Sequence, residues 1–224
     1  MRRLIVSALY RVSIIHPRFF LRKIVFLCFV LMELAWYLLN KIESFTGLHY
    51  RTESVDFVLD NIASGERVLE VGPAEGYLSG RIVGKAGYLF GVEIDKGYFK
   101  KLELIKDRRM RFINEDIEDY EIKERFDSAV LIHTLEHIKD PGRLLERLSS
   151  CAKKLIIESP CETDWWMEKL KKDLRVASWG DARHTFTFDY TKLKRLLEEC
   201  GWEITFVQQP VMLLRVVARS TKLK

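Results

Sequence analysis

Short apolar runs recur along most of this chain, separated by stretches in which apolar residues return at helical spacing. The runs are rich in β-branched and aromatic residues and are bounded by glycine, proline or acidic residues, which is typical of buried strands. The predicted strands are Arg67–Val71, Tyr88–Ile94, Met110–Asn114, Phe126–Ile132, Lys154–Glu158, Trp202–Gln208 and Val211–Ala218. The predicted helices are Thr52–Ile62, a segment after Gly76, Lys96–Lys106, Pro141–Ser150 and Tyr190–Cys200.

Strand and helix alternate from about residue 50, which favours a parallel α/β sheet with ligands at the carboxyl ends of the strands. Pro141 suits the first turn of a helix, and Gly201 suits a helix end. The two strands at the C-terminal end are joined only by a segment around Gln209-Pro210. Because a parallel crossover needs a longer connection, we expect these two strands to be antiparallel. The prediction is an α/β domain over residues 50–224 with a mostly parallel seven-stranded sheet and a C-terminal antiparallel hairpin.

Residues 1–49 have a different pattern and are predicted to be a helical extension of this domain. Residues 2–15 have the helical period. Their apolar face consists of Leu4, Ile5, Ala8, Leu9 and Val12. His16-Pro17 interrupts the period, and residues 24–39 are then apolar with Glu33 as the only charge. This stretch is slightly shorter than the roughly 20 apolar residues that a spanning helix needs.

The extension could span a membrane, lie in a membrane surface, or pack on the domain as a cap helix. Its first 23 residues hold six basic and no acidic side chains: Arg2, Arg3, Arg11, Arg18, Arg22 and Lys23. The adjacent apolar stretch favours an anionic membrane surface over a solvated basic face. No small-residue cleavage site marks a signal peptide. We favour an interfacial attachment through residues 1–40.

Charge and cysteine content narrow the function further. The net charge of the whole chain is +5, which is less than the six charges of the N-terminal segment. The rest is therefore close to neutral, and no general nucleic-acid-binding surface is indicated. Cysteines occur at Cys28, Cys151, Cys161 and Cys200. Neither Cys-x-x-Cys nor zinc-ligand spacing occurs among them, so we expect reduced packing residues and no metal site.

The ends of the predicted strands carry residues suited to a nucleoside. The segment Val68–Gly76 is an apolar run followed by a turn between Gly72 and Gly76, which permit positive φ and close backbone approach. Glu93 ends the second strand, 21 residues after Gly72, where an acid can accept both hydroxyls of a ribose. After the third strand, Asp116 can accept a hydrogen bond from an adenine amine while Ile117 packs on the ring.

Four motifs stand in order at these strand ends: Val68–Gly76 (VLEVGPAEG), Gly91–Asp95 (GVEID), Asn114–Ile117 (NEDI) and Phe126–Pro141, which contains Leu-Glu-His. Together they resemble the class I S-adenosylmethionine-dependent methyltransferases. Leu-Glu-His after the fourth strand, and the stretch His184–Phe188, are similar to the small-molecule branch of that family. The resemblance runs from about Tyr50 to Arg219. It implies a Rossmann-like fold, methyl transfer and S-adenosyl-L-methionine as cofactor.

The resemblance also implies residue roles. The methionine part of the cofactor would be lined by Glu70, Gly72, Ala74 and Gly76, the ribose would be bound by Glu93, and the adenine would be held by Asp116 and Ile117. His133 would lie near the methionine part and the substrate entrance. Ala74, beside Pro73, stands where the family often has glycine. An alanine fits that position if its φ is negative.

The insertion from about Ser159 to Asp189 is expected to lie over the strand ends, where a substrate would bind. It holds Trp165, Trp166, Trp179, Arg183 and His184. The tryptophans either pack within the insertion or form an apolar wall of the substrate site. His184 or His133 is the candidate general base, whereas His137 is expected to be structural.

The predicted function is methyl transfer to a small-molecule or lipid-like acceptor. A lipid-like acceptor is suggested by the tryptophans and by the apolar N-terminal segment. The basic N-terminal segment would stay in the cytoplasm, so a single span would place the domain outside. The cofactor is intracellular, so we expect instead a cytoplasmic protein at the inner face of the membrane. One alternative is a nucleotide-dependent oxidoreductase, but Gly72 and Gly76 are spaced Gly-x-x-x-Gly rather than Gly-x-Gly-x-x-Gly. Another is an inactive methyltransferase-like membrane adaptor, which only Ala74 supports.

Overall fold

A computed structural model describes residues 23, 24, 27, 31, 34, 49–161, 188–210 and 213–223. The chain divides into two compact units, Met1–Tyr50 with Asp164–Gly180, and Arg51–Thr163 with Asp181–Lys224. Several predictions concern residues outside the described part: the helix at 2–15, Cys28, Trp165, Trp166, Trp179, Arg183 and His184.

In the second unit, strands and helices alternate as predicted. The helices are α1 (His49–Asn61), α2 (Tyr77–Val83), α3 (Lys96–Leu102), α4 (Pro141–Ser149) and α5 (Tyr190–Glu199). The strands are β1 (Arg67–Val71), β2 (Tyr88–Val92), β3 (Met110–Ile113), β4 (Phe126–Ile132), β5 (Ala152–Pro160), β6 (Trp202–Gln208) and β7 (Leu213–Ser220). A short 3-10 helix at Leu135–His137, which the sequence pattern did not predict, follows β4.

The seven strands form one sheet in the order β3-β2-β1-β4-β5-β7-β6. Strands β1 to β5 pair in parallel, and β7 pairs antiparallel with both β5 and β6. The predicted mostly parallel sheet with a C-terminal antiparallel hairpin is therefore confirmed. The chain turns from one half of the sheet to the other between β1 and β4, and ligands of open α/β sheets bind at such a point.

Both faces of the sheet are buried. Val68, Val130 and Ile156 belong to one hydrophobic cluster, whereas their neighbours in sequence, Leu69, Leu131 and Ile157, belong to the other. This division follows from the alternation of side chains along a strand. Helices cover the two faces, so the central strands are continuous apolar runs, as expected for a parallel sheet.

Local signals at the helix ends explain where the helices begin and stop. Asp95, Asp140 and Asp189 each precede a helix and accept hydrogen bonds from its first backbone N–H groups. Pro141 occupies the first turn of α4, as predicted. Gly201 has φ 85 just after α5, a left-handed conformation that ends helices. Cys151, Cys161 and Cys200 are buried and are not joined in disulfides, in agreement with the prediction of reduced packing residues for those three.

In the first unit the structure describes His49 and Tyr50, which begin α1, and five residues that are helical and exposed: Lys23, Ile24, Leu27, Leu31 and Leu34. Among all residues that the structure describes, no helix combines the length and the apolar character needed to cross a membrane.

Candidate active site

A cavity of about 530 Å³ lies at the carboxyl ends of β1 to β4, within the size range of small-molecule sites. Six predicted site residues line it: Gly72, Ala74, Glu93, Asp116, Ile117 and His133. Glu70 and Gly76 are not among its lining residues. Apolar walls come from Val71, Val92, Ile94, Ile117 and Ile138. Residues that are far apart in sequence thus meet at the switch point of the sheet.

The loop after β1 has three residues in the left-handed region, Gly72 with φ 73, Ala74 with φ 49 and Gly76 with φ 80. The Gly72 N–H donates to the Val92 carbonyl over 2.9 Å. A side chain at Gly72 would lie 2.9 Å from Thr134 Oγ1, so glycine permits close packing of the loop against the end of β4. The condition under which an alanine fits here without strain, a negative φ, is not met, and this alanine carries strain of about 1–2 kcal/mol.

Glu93 connects the loops that follow β1 and β2. Its Oε2 accepts a hydrogen bond from the Ala74 N–H over 2.8 Å, and its Oε1 accepts one from the Asp95 N–H over 2.8 Å. The residue is 5% exposed and lines the cavity. Two backbone donors therefore fix the orientation of this carboxylate. Each carboxylate oxygen has further lone pairs with which to accept hydrogen bonds from a ligand.

Glu70 lies beneath the same loop and is 2% exposed. Its Oε2 accepts a hydrogen bond from Ser79 Oγ over 2.5 Å. Burial raises the pKa of Glu70 to about 7, with the Ser79 hydrogen bond opposing this rise and the charge of Glu93 adding to it. Gly76 is the capping residue that precedes α2, and it packs closely against Leu102 and Ile105. Glu70 and Gly76 thus shape the loop from below.

The segment after β3 forms the opposite end of the cavity. Asn114 Nδ2 donates to the Glu93 carbonyl over 2.7 Å, which joins the ends of β2 and β3. Asp116 Oδ1 accepts from the Glu118 N–H over 2.9 Å. The Glu118 side chain accepts from the backbone N–H groups of Lys139 and Asp140. The Asp116–Ile117 segment is thereby held between neighbouring loops, through contacts that the sequence did not predict.

Arg147 of α4 supports this segment from behind. Its Nη1 donates to the carbonyls of Ile117 over 3.0 Å and Glu118 over 2.8 Å, and its Nη2 donates to the Tyr120 carbonyl. The guanidinium presents its donors in a rigid fork, which suits several acceptors at once. In the sequence Arg147 is an ordinary basic residue in an amphipathic helix, about 30 positions away, and no local pattern marks its role.

His133 follows β4 with φ 50, a left-handed conformation. Its backbone N–H donates to the Glu158 carbonyl over 2.8 Å. Its ring nitrogen Nε2 lies 3.0 Å from Glu158 Oε1, and Nδ1 lies 3.7 Å from Glu136 Oε1. Glu158 thus holds both the backbone and the ring of His133, while both ring nitrogens face carboxylates.

The environment keeps a proton on His133. Burial lowers the pKa of the imidazole, but the carboxylates of Glu136 and Glu158 outweigh this effect and bring it to about 9. At neutral pH the ring is therefore an imidazolium, which donates hydrogen bonds and does not take up a proton. This charge state argues against His133 as the general base.

Glu158 is 0% exposed and is bound on three sides. Besides His133 it accepts hydrogen bonds from Ser54 Oγ and from Arg215 Nε of β7. Burial alone would raise its pKa, but these three donors hold the pKa below its ordinary value. A buried carboxylate, a cation of β7 and the imidazolium thus form one hydrogen-bonded cluster behind the cavity.

Residues 48–207 match the model of a family described as methyltransferase domain. The chain belongs to this family. The match covers most of the chain and includes every predicted site residue. No curated protein matches the sequence.

Solved structures of other proteins share the fold. An S-adenosylmethionine-dependent methyltransferase from Clostridium acetobutylicum ATCC 824 is 11% identical over 83% of this chain and 99% of its own, with a TM-score of 0.60. Magnesium protoporphyrin IX methyltransferase from Synechocystis PCC 6803, with bound S-adenosylhomocysteine, is 17% identical over 76% and 81%, with a TM-score of 0.58. The [4+2]-cyclase SpnF is 14% identical over 74% and 80%, with a TM-score of 0.59.

At these identities the structural likeness establishes the fold alone, and a cyclase among the neighbours illustrates that a fold does not specify a reaction. Family membership is what identifies the chain as a methyltransferase, and the predicted class I S-adenosylmethionine-dependent family is confirmed. The match does not support the alternative of a nucleotide-dependent oxidoreductase.

Proposed function

We propose that the chain transfers a methyl group from S-adenosylmethionine to a small-molecule or lipid-like acceptor, in the cavity at the ends of β1 to β4. The observation that carries this proposal is the convergence of six sequence-predicted residues on one cavity of about 530 Å³. These groups suit the cofactor, because an oriented buried carboxylate stands beside an apolar wall and a loop that lines the cavity with Gly72 and Ala74.

In this proposal Glu93 accepts hydrogen bonds from both ribose hydroxyls, since Ala74 and Asp95 already orient its carboxylate. Asp116 accepts from the adenine amine, and Ile117, which is 5% exposed, packs on the ring. The loop from Gly72 to Ala74 approaches the methionine part with its backbone, and His133 lies at the acceptor side.

When bound, the cofactor supplies an activated methyl group on a sulfonium, whose transfer leaves a neutral thioether. The residues of the chain contribute by aligning the donor and the acceptor, since positioning provides much of the rate in such a displacement. The apolar walls exclude water from the reacting atoms. With His133 protonated, the acceptor must arrive ionised or lose its proton to another group.

Calorimetric titration with S-adenosylhomocysteine and with NAD tests the cofactor assignment. We expect binding of the first and not of the second. Replacing Glu93 by Ala should weaken binding of S-adenosylhomocysteine by about tenfold or more, because a hydrogen-bonded charge contributes about 1.5–3 kcal/mol. Glu121→Ala, at an exposed acid whose side chain is 79% accessible, is the matched control. An unchanged affinity in Glu93→Ala would refute the ribose site, and binding without any methylated product would favour the inactive adaptor.

The proposal has two more specific parts. The acceptor is lipid-like, and the protein attaches to the inner face of a membrane. Ile24, Leu27, Leu31 and Leu34 are helical, and their exposed fractions are 43%, 57%, 55% and 49%. Their spacing of three and four residues places them on one helix face. An apolar helix face beside a basic segment is typical of interfacial helices on anionic lipid.

Co-sedimentation with vesicles tests this attachment. We expect the full chain to bind vesicles that contain phosphatidylglycerol more strongly than pure phosphatidylcholine vesicles. The double variant Leu27→Ser/Leu31→Ser should bind several-fold more weakly, whereas Leu104→Ser, at a leucine that is 76% exposed in the other unit, should bind like the wild type. Equal loss in both variants would contradict the attachment. Transfer of a labelled methyl group into the aqueous extract only would contradict the lipid-like acceptor.

A further inference from the structure

A second cavity lies between the N-terminal turn of α4 and the helix α5, and we call it the α4–α5 groove. Its volume is about 450 Å³, which is within the range of small-molecule sites. Its apolar lining comes from Pro141, Gly142, Phe188 and Leu196. Phe188 pairs with Cys161, just past the carboxyl end of β5. The groove therefore reaches the same edge of the sheet as the cavity at the ends of β1 to β4.

Lys139 connects the groove with that cavity, because it lines both. It is an exposed residue in the segment between β4 and α4. Its backbone N–H donates to Glu118, whereas its ammonium forms no ion pair within the part of the chain that the structure describes. A lysine ammonium is a compact charge with three donors on a flexible stem. Lys139 can therefore hold an anionic group of a ligand at the junction of the two cavities.

The charged side chains that line the groove are three cations and two acids: Lys139, Lys192, Arg195, Asp140 and Glu199. Arg195 already pairs with Glu199 over 2.8 Å. Asp140 caps α4, where the positive end of the helix offsets its charge. The Lys192 ammonium has a longer contact of 3.6 Å with Asp189. The surplus positive charge of the groove thus lies with Lys139 and Lys192.

The two cavities differ in charge and suit different parts of a ligand. The cavity at the strand ends is lined by five acids: Glu93, Asp95, Glu115, Asp116 and Glu118. An anionic group is repelled there and attracted by the lysines of the groove. The apolar lining suits a hydrocarbon chain, and the aliphatic stems of the lysines can cover the chain while their ammonium groups pair with its anionic end. A molecule with both parts is an anionic amphiphile.

We propose that the α4–α5 groove binds the methyl acceptor, and that this acceptor is an anionic amphiphile. The inference rests on the proposed function, whose acceptor it assigns to a chemical class. The hydrocarbon chain lies against Pro141, Phe188 and Leu196, and the anionic group pairs with Lys139 and Lys192. Lys139 thereby keeps that end of the molecule beside the cavity in which the cofactor presents its methyl group.

Octanoate and octylammonium are matched probes for the groove, since they share the chain length and differ in the sign of the charge. Both are titrated by calorimetry into protein saturated with S-adenosylhomocysteine. We expect octanoate to bind at least about threefold more tightly, because an exposed ion pair contributes up to about fivefold. Acetate, which lacks the chain, should not compete with octanoate at equal concentration. Equal affinity for the two long-chain ions, or competition by acetate, would overturn the inference.

A substitution in the apolar lining locates the bound chain. Gly142→Met adds a side chain whose Cβ lies 3.6 Å from Leu196 Cδ1, an ordinary contact, and methionine is a good helix former. The new side chain takes the volume of the ligand, so octanoate should bind about fivefold or more weakly. Gly80→Met, at a glycine of α2 with no atom within 4 Å of the added Cβ, should bind octanoate like the wild type. An unchanged affinity in Gly142→Met would place the probe elsewhere and contradict the proposal.

Substitutions of exposed lysines test the charge without disturbing the fold. Lys139→Gln and Lys192→Gln should each weaken octanoate binding by about twofold to fivefold and leave octylammonium binding no weaker. Lys194→Gln is the control, since its ammonium lies 3.8 Å from Glu198 and the residue does not line the groove. Equal effects of all three substitutions would show that the preference is a property of the whole surface and not of the groove.

Methyl transfer links the groove to the acceptor. With labelled S-adenosylmethionine and a lipid extract, octanoate should raise the KM for the extract without lowering kcat. Gly142→Met should raise the same KM, and Gly80→Met should not. Octanoate that binds in the groove without inhibiting transfer would overturn the assignment of the groove to the acceptor. Failure of S-adenosylhomocysteine to bind would instead refute the proposed function, whereas the octanoate preference with S-adenosylhomocysteine bound tests this inference alone.

Discussion

Glu93 Oε2 accepts a hydrogen bond from the backbone N–H of Ala74 over 2.8 Å. The contact joins the acid after β2 to the one residue of the β1 loop that departs from the family pattern. Ala74 directs this N–H toward Glu93 in a left-handed conformation with φ 49. A charge-assisted hydrogen bond of about 1.5–3 kcal/mol offsets the strain of about 1–2 kcal/mol that a left-handed alanine carries.

Replacing Ala74 by Gly should therefore keep the loop and remove the strain. The resulting gain in the free energy of unfolding is reduced by about 0.4–1 kcal/mol, because glycine increases the entropy of the unfolded chain. We expect Ala74→Gly to raise the free energy of unfolding by at most about 1.5 kcal/mol. Ala74→Val should lower it by more than about 1 kcal/mol, since a β-branched residue is strained at positive φ. Urea denaturation measures both, and equal effects of Gly and Val would contradict the strained conformation.

Glu70 should make stability depend on pH. In the folded protein it keeps its proton up to about pH 7, whereas an unperturbed glutamate loses it near pH 4.5. The folded state therefore binds more protons than the unfolded state in this window, and stability falls as the pH rises from about 4.5 to about 7. The variant Glu70→Gln has no group that ionises at this position, so it lacks this loss of stability. The difference in free energy of unfolding between the variant and the wild type should therefore shift in favour of the variant as the pH rises, by roughly 3 kcal/mol between acidic pH and pH 8. A difference between the two proteins that stays constant from pH 5 to pH 8 would contradict the shift.

Arg147 should contribute to both stability and cofactor affinity. Replacing it by Ala leaves the carbonyls of Ile117, Glu118 and Tyr120 without this donor. We expect a loss of about 2–4 kcal/mol in the free energy of unfolding and a several-fold weaker affinity for S-adenosylhomocysteine. Arg195→Ala, at an exposed residue that pairs with Glu199 on α5, should change neither. A loss of stability without a change in affinity would show that Arg147 does not support the cofactor site.

Gly91 of β2 leaves room for the β1 loop and for β3. A side chain at this position would lie 2.5 Å from Phe112 Cδ1 and 3.3 Å from Pro73 Cγ. Gly91→Ala should therefore destabilise the protein by about 1–3 kcal/mol through overpacking. Gly80→Ala, inside α2 with no atom within 4 Å of the new side chain, should be neutral or stabilising by up to about 1 kcal/mol. Thermal unfolding of the two variants compares them, and the opposite ranking would contradict this packing.

Elements with a strong local signal could be predicted from the sequence. The strands β1, β4 and β6 have the predicted bounds, because their short apolar runs are flanked there by polar or turn-forming residues. β5 is longer than predicted, Ala152–Pro160 rather than Lys154–Glu158. At its C-terminal end Pro160 pairs with Leu213 of β7, and at its N-terminal end Ala152 pairs with Phe126 of β4. Such pairing has no signature within the strand itself.

The convergence of Gly72, Glu93, Asp116 and His133 could also be predicted, since each follows a parallel strand and the carboxyl ends of such strands meet at one edge. Their supporting residues could not. Arg147 and Arg215 reach the site from segments that are distant in sequence. No neighbouring residue marks Arg147, and although Arg215 stands in an apolar strand, nothing near it in sequence names Glu158 as its partner. The charge state of His133 is likewise set by Glu158 of another strand, so its chemistry depends on tertiary packing.

Strand β7 follows β6 in the chain but lies between β5 and β6 in the sheet. While a ribosome is still making the protein, β6 has no partner strand until β7 emerges, and Glu158 has no guanidinium beside it. The same step of folding that closes the sheet thus delivers Arg215 to the buried acid behind the cavity. A nascent or truncated chain that lacks β7 would have every predicted cofactor residue, yet the charge that anchors His133 would be unbalanced. The pairing of β7 therefore completes the sheet and the charged cluster behind the cavity in the same folding step.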